Sequence, residues 1–450
     1  MRKIRLVLIS SLLTGVLSAT PSFASPTPPK VGSACKKVGA FLDTPNTRYV
    51  CSKEGGKSLW RIWDPSKQKV AATSSGPSDT KPTTVITPTN ALKVPIPISL
   101  PVTQNGPITF QNVVSNFSAI PKQAWQNVQD LIAANPALSI PTTIHIGPTT
   151  KSTVDAITSI LNREYRLWSG FTQPPAYYGI VFNAADVPWA EKDWAKMSSE
   201  NNFLEGVEIP ASHWIDVLHN GCQINGGVAS VCYGGNAIVF AKNHSGFSFY
   251  GVQDGTSWNP GTTNGSMGQV AHEYTHNVQF AQWNGANFVN KNSNGATAAH
   301  AVVPCWLQEG MANAISTPVF DTTFESYSGD RDYNVTRPIN KNTPVAVSLK
   351  DFSVQSLTNF LAEQDPAACY RPDISGDYQL GYSVGFATTE ALVAIGGPQS
   401  TLALYARVAS GDSWPEAFQR VYGISWPTAA PILGQVLAAE YASKPLRTSD

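Results

Sequence analysis

Between Met267 and Val278, the residues Met267, Val270, Ala271, Tyr274 and Val278 return at the 3.6-residue spacing of a helix with one buried stripe. The same period reads helices in "IPKQAWQNVQDLIAANP", in "KSTVDAITSILNREYRLWSGF" and in "VVPCWLQEGMANAIS", where Trp306, Leu307, Met311 and Ile315 form the apolar side. "TTIHIG", "AYYGIVFN" and "NAIVFAKN" are short and rich in β-branched and aromatic residues, and read as strands. The strands come before residue 265, and almost everything after it is helical. The main body, 106–445, therefore reads as α+β: a strand-containing half, then a mainly helical half, with a cleft between two lobes.

The pattern changes twice ahead of that body. Residues 67–105 are dense in Pro, Ser and Thr and read as an extended linker. Residues 30–66 hold Cys35, Cys51, Trp60 and Trp63 in too short a stretch for a real core, and read as a small disulfide module. Its tryptophans either fill that small core or contact a cell wall or glycan. At the start, "MRKIR", an apolar run from Leu6 to Leu17 and the small exit Ser22-Phe23-Ala24 read as a secretory signal peptide over 1–24. The expected mature protein is secreted, with no membrane span.

Six cysteines suit an oxidising compartment, and pairing of neighbours gives Cys35–Cys51, Cys222–Cys232 and Cys305–Cys369 as the expected bridges. Lys plus Arg and Asp plus Glu number 31 each, with no basic block, which argues against nucleic acid and anionic membrane as partners.

Chemistry concentrates in "VAHEYTHNVQ", 270–279. His272 and His276 stand one turn apart beside the buried stripe, where two imidazoles can share one Zn²⁺, and Glu273 projects towards the open side of that metal. Zinc needs a third protein ligand, and Glu309 is the only acid of the "VVPCWLQEGMANAIS" helix. "HEYTH" followed by "WLQEGMA" resembles the gluzincin group of zinc metallopeptidases.

The resemblance implies a zincin-like two-lobed catalytic domain with one Zn²⁺ per chain. His272, His276 and Glu309 match its metal ligands and Glu273 its general base. Tyr382, followed by Gly385, matches a Tyr-x-x-Gly helix and is a candidate oxyanion donor; a packed core tyrosine is the alternative, and Tyr378 the fallback donor. The implied activity is hydrolysis of peptide bonds in a peptide or protein substrate. The alternatives are a non-enzymatic wall-binding protein on the same scaffold, or a zinc hydrolase of other amides.

Two positions depart from the pattern. His276 and Glu309 are 33 positions apart, which implies an inserted loop, and Asn313 stands where some relatives have an Asp bonded to a ligand histidine. Gln282 occupies the place of a metzincin's third histidine, against that group. His145, His213, His219, His244 and His300 read as structural, the last two in polar loops. The acidic stretch with Asp321, Glu325, Asp330 and Asp332 reads as a solvated loop rather than a calcium site.

Overall fold

Three antiparallel strands, β1 (Phe41–Thr44), β2 (Thr47–Glu54) and β3 (Lys57–Ile62), form the sheet of the first of two units, Met1–Pro82 and Thr83–Asp450. Gly55 and Gly56, both at positive φ, make the two-residue turn between β2 and β3. Cys35 bridges to the buried Cys51, which lies opposite the half-buried Trp60. The computed structural model describes residues 29–36, 41–44, 47–62, 90–104, 106–205, 211–219, 221–225, 228–232, 234–252, 266–288, 294–337, 347–363 and 376–447. The signal peptide, Trp63 and residues 67–89 lie outside these.

In the second unit, residues 90–104 do not behave as a free linker. Leu92, Val94, Ile96, Ile98 and Leu100 pack against the core while Pro95, Pro97, Ser99 and Pro101 between them stay exposed, and Val102 is buried. Proline-rich backbone forms no ladder of its own, but its extended form turns alternate side chains to one surface. Bonds from Val102 N to Val421 O (2.8 Å) and from Gln104 Nε2 to Tyr422 O (2.7 Å) secure the strap. Packing thus begins ahead of the expected start near 106.

The first half is built on a four-stranded sheet in the order β4 (Thr142–Ile146), β5 (Tyr177–Phe182), β9 (Gly246–Gly251), β8 (Gly235–Val239). The first three strands are parallel and β8 is an antiparallel edge. Both faces are covered, so β9 is buried at every position. Phe247 and Phe249 face the aromatic cluster around Trp194 and Trp214 of α3 (Val187–Glu200) and α4 (Ala211–His219). Tyr250 faces the larger core shared with α1 (Ile120–Ala134), α2 (Val154–Leu167) and α5 (Ser266–Ala281). Strands β6 (Cys222–Asn225) and β7 (Val228–Cys232) pair as a hairpin, with Cys222 opposite and bonded to Cys232.

The helical half comprises α6 (Gly295–Val302), α7 (Cys305–Phe320), α8 (Phe324–Val335), α9 (Val354–Glu363) and α10 (Asp377–Leu380). α10 passes through a π-helical turn, Gly381–Gly385, into α11 (Phe386–Gly396). α12 (Pro398–Ala409), α13 (Trp414–Tyr422) and α14 (Trp426–Ser443) follow. The acidic stretch expected as a loop is largely α8: Thr323 caps it by accepting from Ser326 N, and Arg331 on its buried side supplies a reason to be helical. Arg331 donates to Glu390 of α11 at 2.8–3.1 Å and to Glu440 of α14 at 2.5 Å, tying three helices through one buried cation. Cys305 is disulfide-bonded, and its expected partner Cys369 lies outside the described residues. The chain is thus a mixed α and β structure, and no described helix is long and apolar enough to cross a membrane.

Glu164 of α2 is fully buried and accepts from Trp168 Nε1 at 2.7 Å. Burial outweighs that bond and pushes its carboxyl up to about 8. Between its ordinary value of 4.5 and about 8 the folded protein therefore holds a proton that the unfolded chain has released. Stability contributed by this group must fall as pH rises through that window, by roughly 1.4 kcal/mol per pH unit at most. Glu164→Gln removes the dependence, so the Tm of the variant relative to wild type should climb from pH 4.5 to 8 and level off above. A Tm difference that stays flat across the window contradicts the assignment.

Candidate metal centre

α5 lies on the sheet with α7 across its other side, so its Val270, Ala271, Tyr274 and Val278 stripe is fully buried. That packing leaves His272, Glu273 and His276 facing Glu309 on α7. His272 Nε2 and His276 Nε2 are each 3.4 Å from Glu309 Oε2 and 3.1 Å from one another. One ligand atom from each of the three residues falls within 4.8 Å of the others, and all three are buried.

The tautomers are fixed from outside. His276 Nδ1 meets Gln279 Oε1 at 2.8 Å, and the same amide donates from Nε2 to the Gln308 carbonyl at 3.0 Å. His272 Nδ1 meets Asn313 Oδ1 at 2.8 Å, whose Nδ2 faces the Tyr382 carbonyl at 3.4 Å. A carbonyl can only accept, so each amide must turn its oxygen to the imidazole, and each Nδ1 must carry the hydrogen. Both neutral rings then aim an Nε2 lone pair at the same point as the Glu309 carboxylate. Three lone pairs converging in a buried pocket repel one another unless a cation sits between them. The donor set therefore fits a metal ion.

The charges respond accordingly. Burial opposes ionisation of Glu309, yet the two imidazoles hold its carboxyl well below the usual range. Burial likewise disfavours a charged His276, but Glu309 and Glu273 prevail and raise it to about 9. Glu273 is raised by burial, against the pull of both histidines. The pocket favours positive charge at its centre.

Glu309 and Tyr382 are brought together by glycine. A Cβ on Gly310 would land on the Gly385 backbone, and one on Gly385 would land on the Trp306 carbonyl. Gly381 leaves only 2.7 Å between its absent Cβ and Glu309 Cβ. α7 and the π turn therefore touch backbone to backbone. The π turn contributes Tyr382, whose ring stacks on His272 at 6.0 Å between centroids and 12° between planes. Burial, with the neighbouring Glu309 charge, keeps its phenol well above the ordinary range. Tyr382, rather than Tyr378 one turn earlier, lies against the ligands.

Several residues around the centre carried no signal in the chain pattern. Gly235, at the start of edge strand β8, sits where any side chain would collide with the Glu273 carboxyl. A glycine opening a strand marks such a close approach. His300 lies on α6, not in the expected loop, close enough for the charge of His276 to add to burial in lowering it to about 4. His145 pairs with Asp193 at 2.7 Å and His219 with Glu191 at 2.6 Å. Among the described residues, no second cluster of His, Cys, Asp and Glu meets metal-binding geometry. No family model matches the chain, nor does any curated protein or solved structure.

Elemental analysis of purified protein should find about one divalent metal per chain, lost in His272→Ala and His276→Ala and weakened in Glu309→Gln. Full occupancy in both histidine variants would sink the assignment. The glycine contact makes a separate claim: Gly385→Ala should lower both Tm and metal content. Gly329→Ala on α8, where a Cβ meets nothing within 4 Å, should hold or raise Tm and keep the metal. Equal behaviour of the two alanine variants would show that close backbone approach does not position the ligands.

Proposed function

We propose that this chain is a secreted zinc peptidase of gluzincin type, with a zincin-like two-lobed main domain. The observation that carries the reading is the convergence of two imidazole lone pairs of fixed tautomer and one carboxylate, with a second carboxylate, Glu273, buried beside them. Two histidines and one acid are a donor set that zinc favours, and three protein ligands leave a coordination position open for chemistry. Support also comes from the sheet, whose antiparallel edge strand passes over Glu273, and from the helical half that supplies Glu309 and Tyr382. The two described disulfides fit an oxidising, extracellular compartment.

Zn²⁺, when bound, supplies Lewis acidity to the attacking water and to the scissile carbonyl. The protein's own residues supply the rest. Glu273 takes the proton of the attacking water and passes it to the departing amine. Tyr382, held by its stack on His272, donates a hydrogen bond to the oxygen that gains negative charge. Gln279 and Asn313 hold the two ligand rings in the tautomer that presents Nε2. Gly235 keeps the edge strand close over Glu273 and limits how that carboxylate can turn.

A peptide library incubated with the protein should be cleaved, cleavage should stop with a chelator, and zinc should restore it. Glu273→Gln should retain metal and lose nearly all hydrolysis, because that residue is a base and not a ligand. Tyr382→Phe should keep metal and fold while kcat falls by ~10²–10³-fold. Metal loss in Glu273→Gln would reverse the assigned roles; lower Tm with kcat intact in Tyr382→Phe would make Tyr382 a packing residue.

A further inference from the structure

Arg337 follows the C-terminal end of α8, exposed, with its guanidinium carbon 4.7 Å from the centroid of the Tyr382 ring. That ring stacks on the metal-centre residue His272 at 6.0 Å, which puts the guanidinium carbon within about 11 Å of the His272 ring. Elsewhere in the helical half, Arg331, Arg407, Arg420 and Lys444 all meet carboxylates. Arg337 forms no ion pair among the described residues.

The ring attracts the guanidinium charge, and no described acceptor takes a hydrogen bond from the Arg337 side chain. Its N–H donors lie in the plane and stay available, in the fork geometry that matches a carboxylate with two parallel bonds. An extended peptide advances about 3.3 Å per residue. A group bonded to Arg337 would therefore lie within about three residues of the bond being cut at the metal centre.

Resting on the hydrolase reading above, we propose that Arg337 is a specificity residue. It selects substrates that carry a carboxylate within about three residues of the scissile bond. A C-terminal α-carboxylate and an Asp or Glu side chain offer the same chemistry, and the experiment separates them.

The test uses the full chain loaded with zinc and two pairs of peptides built on a sequence that the protein cleaves. One pair differs only as C-terminal free acid against amide, the other only as Glu against Gln at each of the three positions nearest the cleaved bond. Hydrolysis is measured with wild type, and binding with the non-hydrolysing Glu273→Gln variant by fluorescence anisotropy. The acidic member of at least one pair should bind and react about five- to tenfold better, and high salt should shrink the ratio. Arg337→Gln should bring the ratio close to one, and Arg337→Lys should keep part of it. The pair that shows the preference identifies the carboxylate. Cleavage without any acidic preference, or a preference that survives Arg337→Gln, overturns the role of Arg337 alone. If no peptide in the library is cleaved by the zinc-loaded chain, the hydrolase reading falls, and this inference with it.

Discussion

The contact on which the candidate metal centre depends is one between two stretches of backbone. Where α7 meets the π turn, Gly310 faces Gly385 and Gly385 faces the Trp306 carbonyl, with no room for a methyl group at either. The approach fixes the distance from Glu309 to Tyr382, since each lies one residue from a crowded glycine. The ends of these helices are secured independently. Cys305 opens α7 and is disulfide-bonded, while the Arg331 guanidinium holds α11 against α8 and α14. Removing a buried pair member of that kind typically costs about 3–5 kcal/mol, so the clamp resists the slippage that would separate Glu309 from Tyr382.

Given that frame, the choice of amides behind the histidines acquires a reason. A carboxylate behind His272 or His276 would add a third and fourth negative group to a buried pocket that already contains Glu273 and Glu309. Asn313 and Gln279 fix the same tautomers without charge. The centre then holds two carboxylates and two neutral rings, which a single dication balances.

Much of this was legible in the chain, and the remainder was unreadable for definite reasons. The helical period showed α5 and α7, because each has residues that must be buried together. The spacing of His272, Glu273 and His276 needs only one helix, so it could be read locally. The position of Glu309 against them needs two helices to pack, and resemblance alone supplied it. Gly235 and His300 reach the centre through tertiary contact from segments whose own pattern says nothing of it. The strap at 90–104 was concealed by composition: its prolines suggest a linker, while the alternation of Leu92, Val94, Ile96, Ile98 and Leu100 encodes the packed surface. α8 was obscured in the opposite way, since its acids read as solvated until Arg331 is seen to turn inward.

Buried carboxylates in this protein are stabilised in different ways, and the contrast bears on the metal. Asp186 is held by the Thr149 amide and by the hydroxyls of Thr149 and Thr150. Glu390 and Glu440 share Arg331. Glu164 keeps its proton. The first two solutions use groups of the fold alone, and the third uses one proton. At Glu309 the opposing groups are imidazoles whose outer nitrogens are already committed to amide oxygens, so their inner nitrogens add electron density to the pocket rather than removing it. The compensation must come from an ion taken from solution, either protons or a metal. A metal satisfies all three donors at once, whereas one proton between His272 and His276 leaves the carboxylate to be matched separately. The arithmetic of lone pairs thus leaves the His272, His276 and Glu309 group open to an ion that the fold itself does not supply.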